Sequence, residues 1–169
     1  RRIRRQHPAA RRVGGRRLEA RPAGRGHVGD LAVGGVPGEQ VLRAGEQVLV
    51  NGASGITGGL LVALAALRGA QVIATAGPAH RQRVTGLGAR HVVDYHDRQW
   101  PAQVRAITGG RGVAAVANAA AGAAATAIRA VADGGRLATI TSDPPGGQRD
   151  ITVSSVYVRP DGTQLRGLA

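Results

Sequence analysis

Cysteine, methionine, phenylalanine and lysine are all absent from the 169 residues of this sequence, which contains one tryptophan and two tyrosines. Without cysteine, the protein forms no disulfide, binds no metal through a thiolate and has no cysteine nucleophile. Without lysine, it cannot use a Tyr-x-x-x-Lys catalytic pair. A thiol-free sequence fits a reducing compartment, and we therefore expect a cytoplasmic protein.

Long apolar runs are absent as well. The longest, residues 60–67, is far shorter than the about 20 residues that a membrane helix needs. The basic start is not followed by an apolar core, so we predict no secretory signal and no membrane partner. We also predict no metal site, because none of the five histidines form a helical ligand pair: His7, His27, His80, His91 and His96.

Positive charge dominates, since 23 arginines outweigh 10 acidic residues and give a net charge of +13. Residues 1–45 hold eleven of the arginines and three of the acids. Residues 1–43 are rich in Arg, Gly, Pro and Ala and lack periodicity, so they cannot bury enough apolar surface to offset their ordering entropy. We predict a disordered or irregular extension, or one that is not native coding sequence. A nucleic-acid-binding arm is the alternative, although we do not expect a nucleic-acid partner.

One stretch, residues 47–67, carries the clearest motif. An aliphatic run at residues 48–50 is typical of a buried parallel strand. Gly52, Gly55 and Gly58 follow, and the sequence then becomes rich in Leu and Ala, which favours a helix. A strand, a glycine turn and a helix in this order form a dinucleotide site, because the helix N-terminus offers free N–H groups and a positive dipole end to a pyrophosphate. The alternative is a structural turn without a ligand.

Strands and helices alternate along the rest of the sequence. Further strands are predicted at residues 71–75, 91–94, 113–117, 136–141 and 151–158, and helices at about 79–87, 100–107 and 124–131, the last ending at Gly134 and Gly135. Repeated βα units with short loops predict an α/β protein with a Rossmann fold, a doubly wound parallel sheet of about six strands in the order 3-2-1-4-5-6. We therefore divide the sequence into the extension 1–43, a Rossmann domain 44–158 and a truncated tail 159–169.

The residues after the second predicted strand indicate which dinucleotide binds. NAD sites place an acid there for the ribose 2′-hydroxyl, whereas NADP sites lack the acid and supply positive charge. This strand runs into Gly77 with no acid nearby, and His80, Arg81 and Arg83 follow. Because an arginine can hold a phosphate through two parallel hydrogen bonds, we predict NADPH rather than NADH. The alternative is that Arg81 and Arg83 lie on an ordinary solvated helix face.

Four stretches of the sequence lie at residues 51–58, 72–77, 87–95 and 108–113. In this order and spacing they resemble the cofactor domain of the medium-chain dehydrogenase/reductase superfamily, and within it the zinc-independent quinone oxidoreductase branch. The resemblance covers about residues 44–158. In that family a GroES-like domain precedes the cofactor domain and forms the other wall of the active-site cleft, and residues 1–43 do not match it. We therefore expect a fragment that is inactive alone. The four stretches are Asn51-Gly-Ala-Ser-Gly-Ile-Thr-Gly58, Val72-Ile-Ala-Thr-Ala-Gly77, Leu87-Gly-Ala-Arg-His-Val-Val-Asp-Tyr95 and Thr108-Gly-Gly-Arg-Gly-Val113.

The resemblance implies NADPH-dependent hydride transfer to a quinone or to an activated double bond such as an enone, and it is compatible with a homodimer. No catalytic residue or proton donor is identified. A dinucleotide-binding module without catalysis and a basic nucleic-acid-associated protein remain the alternatives. The implied cofactor contacts are a pyrophosphate loop of Ala53, Ser54, Gly55, Ile56, Thr57 and Gly58, a 2′-phosphate site of Gly77, Arg81 and Tyr95, and Asn118, Ala119, Thr141 and Ser142 along the cofactor towards the nicotinamide.

Two positions depart from the family pattern. Relatives usually carry Gly-Val where this sequence has Ile56 and Thr57, so we expect the branched Ile56 side chain to weaken phosphate binding. Gly59, where relatives tend to have Ser or Ala, is expected to weaken the helix by up to ~1 kcal/mol.

Overall fold

In the computed structural model, which describes residues 42–157, six parallel strands form one sheet in the order β3-β2-β1-β4-β5-β6. This confirms the predicted Rossmann fold and strand order. The strands are β1 Gln47–Asn51, β2 Gln71–Thr75, β3 His91–Val93, β4 Val113–Asn118, β5 Val131–Thr139 and β6 Thr152–Ser155. The helices are α1 Ile56–Leu67, α2 Arg81–Gly86, α3 Trp100–Ile107 and α4 Ala124–Ala127, with 3-10 turns at Pro78–His80 and Ile128–Ala130.

The central strand β1 is buried on both faces. It pairs in parallel with β2 on one side and β4 on the other. Leu49 belongs to an apolar cluster with Trp100 and Val104 of α3, whereas Val50 belongs to a second cluster with Val62 of α1. Because neighbouring strand residues point to opposite faces, one short strand anchors both layers of helices. Burial of a side chain such as Leu49 contributes about 1.5–3 kcal/mol.

The helix predicted at residues 124–131 is wrong in its second half. Helix α4 ends at Ala127, a 3-10 turn follows, and Val131 already begins β5. Gly134 and Gly135 therefore lie inside a strand instead of ending a helix. The register shifts there, because Val113 pairs with Val131 while Ala115 pairs with Arg136, and the extra β5 residues bulge with Gly134 at φ +69. Alanine-rich sequence favours helix locally, but pairing with β4 determines the conformation.

Other predicted boundaries shift by a few residues. The helix predicted at residues 79–87 is a 3-10 turn followed by α2, and β3 and β5 end before Asp94 and Thr141 respectively. Strand β6 is shorter than predicted, and residue 158 lies outside the described residues, as do the tail 159–169 and residues 1–41 of the extension. None of the helices in residues 42–157 has the length and apolarity to cross a membrane.

Candidate functional site

A crevice of about 410 Å³ opens at the carboxyl ends of the central strands. It lies where the chain order reverses, with β2 on one side of β1 and β4 on the other. Open parallel sheets bind ligands at this point, because the loops after adjacent strands diverge there. The lining residues are Asn51, Gly52, Ser54, Thr75, Tyr95, Trp100, Ala120, Ala121, Gly122, Ala123 and Thr126.

The turn between β1 and α1 depends on two glycines. Gly52 has a φ of +86, and a Cβ there would lie 3.0 Å from the backbone of Ala119 and of Ala120. A Cβ on Gly58 would lie 2.6 Å from the Gly52 carbonyl carbon and 2.9 Å from the Ala53 Cα atom. The first turn of α1 therefore packs directly on the end of β1, which only glycine allows.

The N-terminus of α1 follows directly from this turn and carries no side chain that neutralises it. The first turn contains no acidic residue, and Gly55 makes no side-chain cap. The backbone N–H groups of Ile56, Thr57 and Gly58 have no acceptor within the helix, as in any first turn. The Ile56 side chain is 85% exposed and does not line the crevice. An anion can therefore approach this helix end.

The ends of β2 and β3 bring three predicted residues together. Gly77 is buried, and a Cβ there would lie 3.1 Å from His96 Cε1 and 3.6 Å from a Tyr95 ring carbon. The Tyr95 and His96 rings stack with centroids 4.1 Å apart, and Tyr95 is 48% exposed at the crevice. Arg81 is exposed and donates from Nη1 to the Val92 carbonyl oxygen at 2.8 Å.

Arg83 contacts the glycine turn more directly than Arg81 does. Its Nη2 donates to the Ser54 carbonyl oxygen, and its Nη1 lies 3.6 Å from where a Cβ on Gly59 would be. The sequence places both arginines after β2 but does not say which one reaches the turn. Arg83 therefore adds a positive charge beside the turn that opens α1.

Asp94 lies near the charge of Arg81, and its carboxylate already accepts a hydrogen bond. Its Oδ1 accepts from the His96 backbone N–H at 3.0 Å and contacts His96 Nδ1 at 2.7 Å. The backbone N–H bond, followed by the imidazole contact and the nearby Arg81 charge, holds the pKa of Asp94 below its usual value. Asp94 follows β3, so it does not occupy the position after β2 where an acid would bind a ribose hydroxyl.

The remaining predicted contacts are placed differently. The Asn118 side chain is buried and bonds to Asn51 and Thr139 instead of lining the crevice. Residues 120–123, just after Ala119, line the crevice on the β4 side. Thr141 and Ser142 follow β5, where Thr141 is half-buried and Ser142 is exposed with a φ of +56.

Sequence reasoning named Asn118 but missed the other members of a set of buried polar side chains under the crevice. Each of the four central strands ends on such a residue, and the set is Thr75, Asn51, Asn118 and Thr139. A polar residue at the final position of each predicted strand was a signal that could have identified them. Asp143, which contacts Thr141 and Thr139, was also missed.

A parallel sheet in this order, with a glycine turn opening α1 into the crevice, defines a dinucleotide-binding domain of the medium-chain dehydrogenase/reductase type. Residues 57–164 match the family described as zinc-binding dehydrogenase, and the chain belongs to that family. The residues do not fit a zinc ion, because the sequence has no cysteine and residues 42–157 contain no group of three potential ligands.

The chain is similar to three proteins described as a synthase, a trans-enoyl reductase and an enoyl reductase domain. It is 38% identical over 112 residues to phthioceranic/hydroxyphthioceranic acid synthase of Mycobacterium tuberculosis, covering 65% of this chain and 5% of that protein. It is 40% identical over 70 residues to trans-enoyl reductase ACTTS2 of Alternaria alternata, covering 41% of this chain and 20% of that protein. A solved structure described as an enoyl reductase domain of polyketide synthase matches at 30% identity and a TM-score of 0.60, covering 69% of each chain. The chain thus spans a small part of these curated relatives.

Proposed function

We propose that this chain is the NADPH-binding part of an oxidoreductase that transfers hydride to an activated carbon–carbon double bond, as in an enone or enoyl group, or to a quinone. The observation that carries the proposal is the open N-terminus of α1 at the crevice, with the Arg83 guanidinium beside it. Both features favour a phosphorylated ligand at this point.

The pyrophosphate is proposed to lie against the turn from Ala53 to Gly58. Three backbone N–H groups and the helix dipole face it, and the glycine at position 58 removes the side chain that would block close packing. Ile56 and Thr57 are exposed and Gly58 is buried, so a ligand would reach the first two of these N–H groups most readily. This geometry supports binding despite the departure from the family pattern.

The 2′-phosphate is proposed to lie near Gly77, between Tyr95 and the two arginines of α2. No acid follows β2, and the Asp94 carboxylate is already bonded to His96. Arg83 provides a fixed positive charge, while Arg81 lies on the β3 side of the same surface. These charges favour NADPH over NADH.

The nicotinamide end is proposed to extend towards Asn118 and Ala119 and the residues after β5, Thr141 and Ser142. When bound, the reduced nicotinamide supplies the hydride. The small side chains of residues 120–123 form a largely apolar wall that excludes water beside it. The printed name of the Alternaria relative supports an enoyl acceptor, whereas a quinone is the acceptor implied by the sequence resemblance.

A titration of the full chain with NADPH and NADH, followed by nicotinamide fluorescence, tests the cofactor. We expect NADPH to bind at least about tenfold more tightly, since charge-assisted hydrogen bonds to the phosphate are worth about 1.5–3 kcal/mol. Arg83→Ala should reduce that preference, weakening NADPH binding more than NADH binding, because Arg83 also lies beside the proposed pyrophosphate turn. Arg111→Ala is the matched control, because Arg111 is exposed just before β4, at the edge of the sheet opposite the crevice. Equal affinity for both cofactors in the unmodified chain would refute the NADPH assignment.

The acceptor is tested by adding an enoyl thioester or a benzoquinone to the NADPH complex and following NADPH absorbance. A dinucleotide-binding module without catalysis is the second candidate, and one observation favours it. Among the described residues lining the crevice, Tyr95 is the sole ionisable side chain, so general acid–base groups are scarce. Tight NADPH binding without oxidation in either assay, even with a supplied GroES-like domain, would support this second candidate.

Homodimerisation and a cytoplasmic location remain predictions. Sedimentation of the full chain at several concentrations would test the first, and fractionation of the producing cell would test the second.

A further inference from the structure

Six polar side chains form a continuous row of hydrogen bonds beneath the crevice, across the carboxyl ends of four adjacent strands. We name it the polar row: Thr75 of β2, Asn51 of β1, Asn118 of β4, Thr139 of β5, and Thr141 and Asp143 of the following loop. The four strand residues are at most 2% exposed. Buried polar groups are costly unless each finds a partner, so such a row is strongly constrained.

The first half of the polar row begins at the glycine turn. The Gly52 backbone N–H donates to Thr75 Oγ1 at 2.9 Å, and Thr75 Oγ1 donates to Asn51 Oδ1 at 2.6 Å. Asn51 Nδ2 then donates to Asn118 Oδ1 at 2.8 Å. Thr75 and Asn51 therefore each accept one hydrogen bond and donate the next, in the direction of β4.

The second half continues in the same direction. Asn118 Nδ2 donates to Thr139 Oγ1 at 3.0 Å and to Thr141 Oγ1 at 3.1 Å. Both hydroxyl groups donate to Asp143 Oδ1. A backbone N–H can only donate and an ionised carboxylate can only accept. The two ends of the row thus fix the direction of the bonds through Thr75, Asn51 and Asn118, while the Thr139 and Thr141 hydroxyls also contact each other at 2.8 Å.

The position of Gly52 determines the conformation of the turn that leads into α1. Its carbonyl oxygen accepts the Gly55 N–H at 3.1 Å and occupies the space where a Gly58 side chain would lie. Its N–H is held by Thr75, and the neighbouring Ala53 N–H is held by the Thr75 carbonyl oxygen at 3.1 Å. A change in the hydrogen bonds of Thr75 therefore alters the turn that exposes the first amides of α1.

We propose that the polar row couples the loop at residues 141–143 to the Gly52 turn, so that the two ends of the crevice form one binding unit. Thr141 is then a positioning residue for the pyrophosphate turn at the far end of the row. The part of this inference that concerns the cofactor rests on the proposed function. The coupling between the loop and the turn does not, and it is measurable without a ligand.

The first test measures hydrogen exchange at the Gly52 amide by NMR in the ligand-free full chain. Thr75→Val removes its acceptor, and we expect exchange to become about tenfold faster. Thr141→Val acts four bonds away, and we expect about two- to fivefold faster exchange, because bonds in a row reinforce one another. Thr141→Ser should restore the original rate. Thr126→Val is the matched control, since Thr126 lines the crevice but does not belong to the polar row.

Unchanged Gly52 exchange in Thr141→Val would overturn the proposal. If that variant does not fold, Asp143→Asn replaces it, because an amide ends the row with a weaker, uncharged acceptor. Asp150→Asn is then the control, since it removes the same charge from the same loop outside the polar row. Faster exchange in Asp143→Asn alone supports the coupling, whereas equal rates in both variants contradict it.

The second test measures binding of 2′-phospho-ADP-ribose, which lacks the nicotinamide, to the Thr75→Val and Thr141→Val variants and to the double variant. Substitutions at independent sites multiply their effects on affinity. We expect the Thr141→Val effect to fall to less than half in the Thr75→Val background. Multiplying effects would refute the coupling, whereas absence of any binding to the unmodified chain would refute the proposed function and leave the exchange result standing.

Discussion

The β1–α1 connection and a second connection, where the residues just before β4 pack against the start of β5, both depend on a glycine packed against backbone, yet they serve different ends. Gly58 packs on Gly52, and the residues between them leave amides exposed at the crevice. Gly112, at φ +90, is buried, and a Cβ there would lie 2.7 Å from the Ala130 carbonyl oxygen. The same steric requirement therefore makes a candidate binding site in the first connection and only a packed strand junction in the second. A glycine of this kind indicates that two backbone segments pack closely, whereas a binding site also requires groups that remain accessible to a ligand.

The largest expected effect comes from Gly58→Ala. Its Cβ would overlap the backbone of Gly52, and neither segment can shift without opening the sheet. We expect a loss of about 3 kcal/mol or more in the free energy of unfolding, measured in urea, and no detectable NADPH binding.

Gly59→Ala is the matched control for that substitution. Its Cβ would meet the flexible Leu87 side chain at 3.3 Å, which can move, and alanine favours the helix by up to ~1 kcal/mol. We expect unchanged or higher stability with NADPH binding retained. Equal losses from both substitutions would mean that close packing at Gly58 is not what shapes the turn.

The next largest effect is expected from Gly112→Ala in the second connection. Left-handed backbone and the contact with residues 130–132 together should cost about 2–3 kcal/mol of unfolding free energy. NADPH affinity of the folded protein should not change. Gly110→Ala separates the two causes, since Gly110 has a φ of +83 but no atom within 4 Å of its Cβ position. A changed NADPH affinity in Gly112→Ala would remove the distinction between the connections.

Sequence predicted the first connection better than the second for a physical reason. In residues 47–67 the strand pattern, the glycines and the helix-forming residues all favour the same structure, and the observed β1 and α1 follow it. Around residues 124–135, alanine favours helix while pairing with β4 requires a strand, and no local pattern reveals that Val113 pairs with Val131. Long-range register is not contained in local periodicity.

Sequence likewise predicted some residues of the candidate site and could not predict others. The turn and the charges after β2 are contiguous in sequence, so their residues could be named in advance. Asn51, Thr75, Asn118 and Thr139 come together only because four strands end at one edge, and Asp143 reaches them from a loop with left-handed Ser142. The sequence shows the charge of Arg83, but the contact of Arg83 with Ser54 depends on where the fold places α2.

The smallest expected effect concerns the two acids whose pKa is lowered, Asp94 after β3 and Asp143 in the loop after β5. The hydroxyl of Thr141, and then that of Thr139, holds the pKa of Asp143 below 3.8, whereas Asp94 owes its shift to His96 and in part to the charge of Arg81. A carboxylate whose pKa is depressed by folding stabilises the native state above its unfolded pKa and loses this contribution as the pH falls through the folded pKa.

Stability should therefore fall below about pH 4 in both cases, but salt should separate them. The Asp143 contribution, about 1 kcal/mol or less after solvent screening, comes from neutral hydroxyl donors and should persist in high salt. The Asp94 contribution depends partly on charges and should shrink. Urea unfolding from pH 2 to pH 7 at low and high salt, on Asp143→Asn and Asp94→Asn, measures this. If salt reduced both contributions equally, Asp143 would be held by charge as Asp94 is, and the contrast in their electrostatics would disappear.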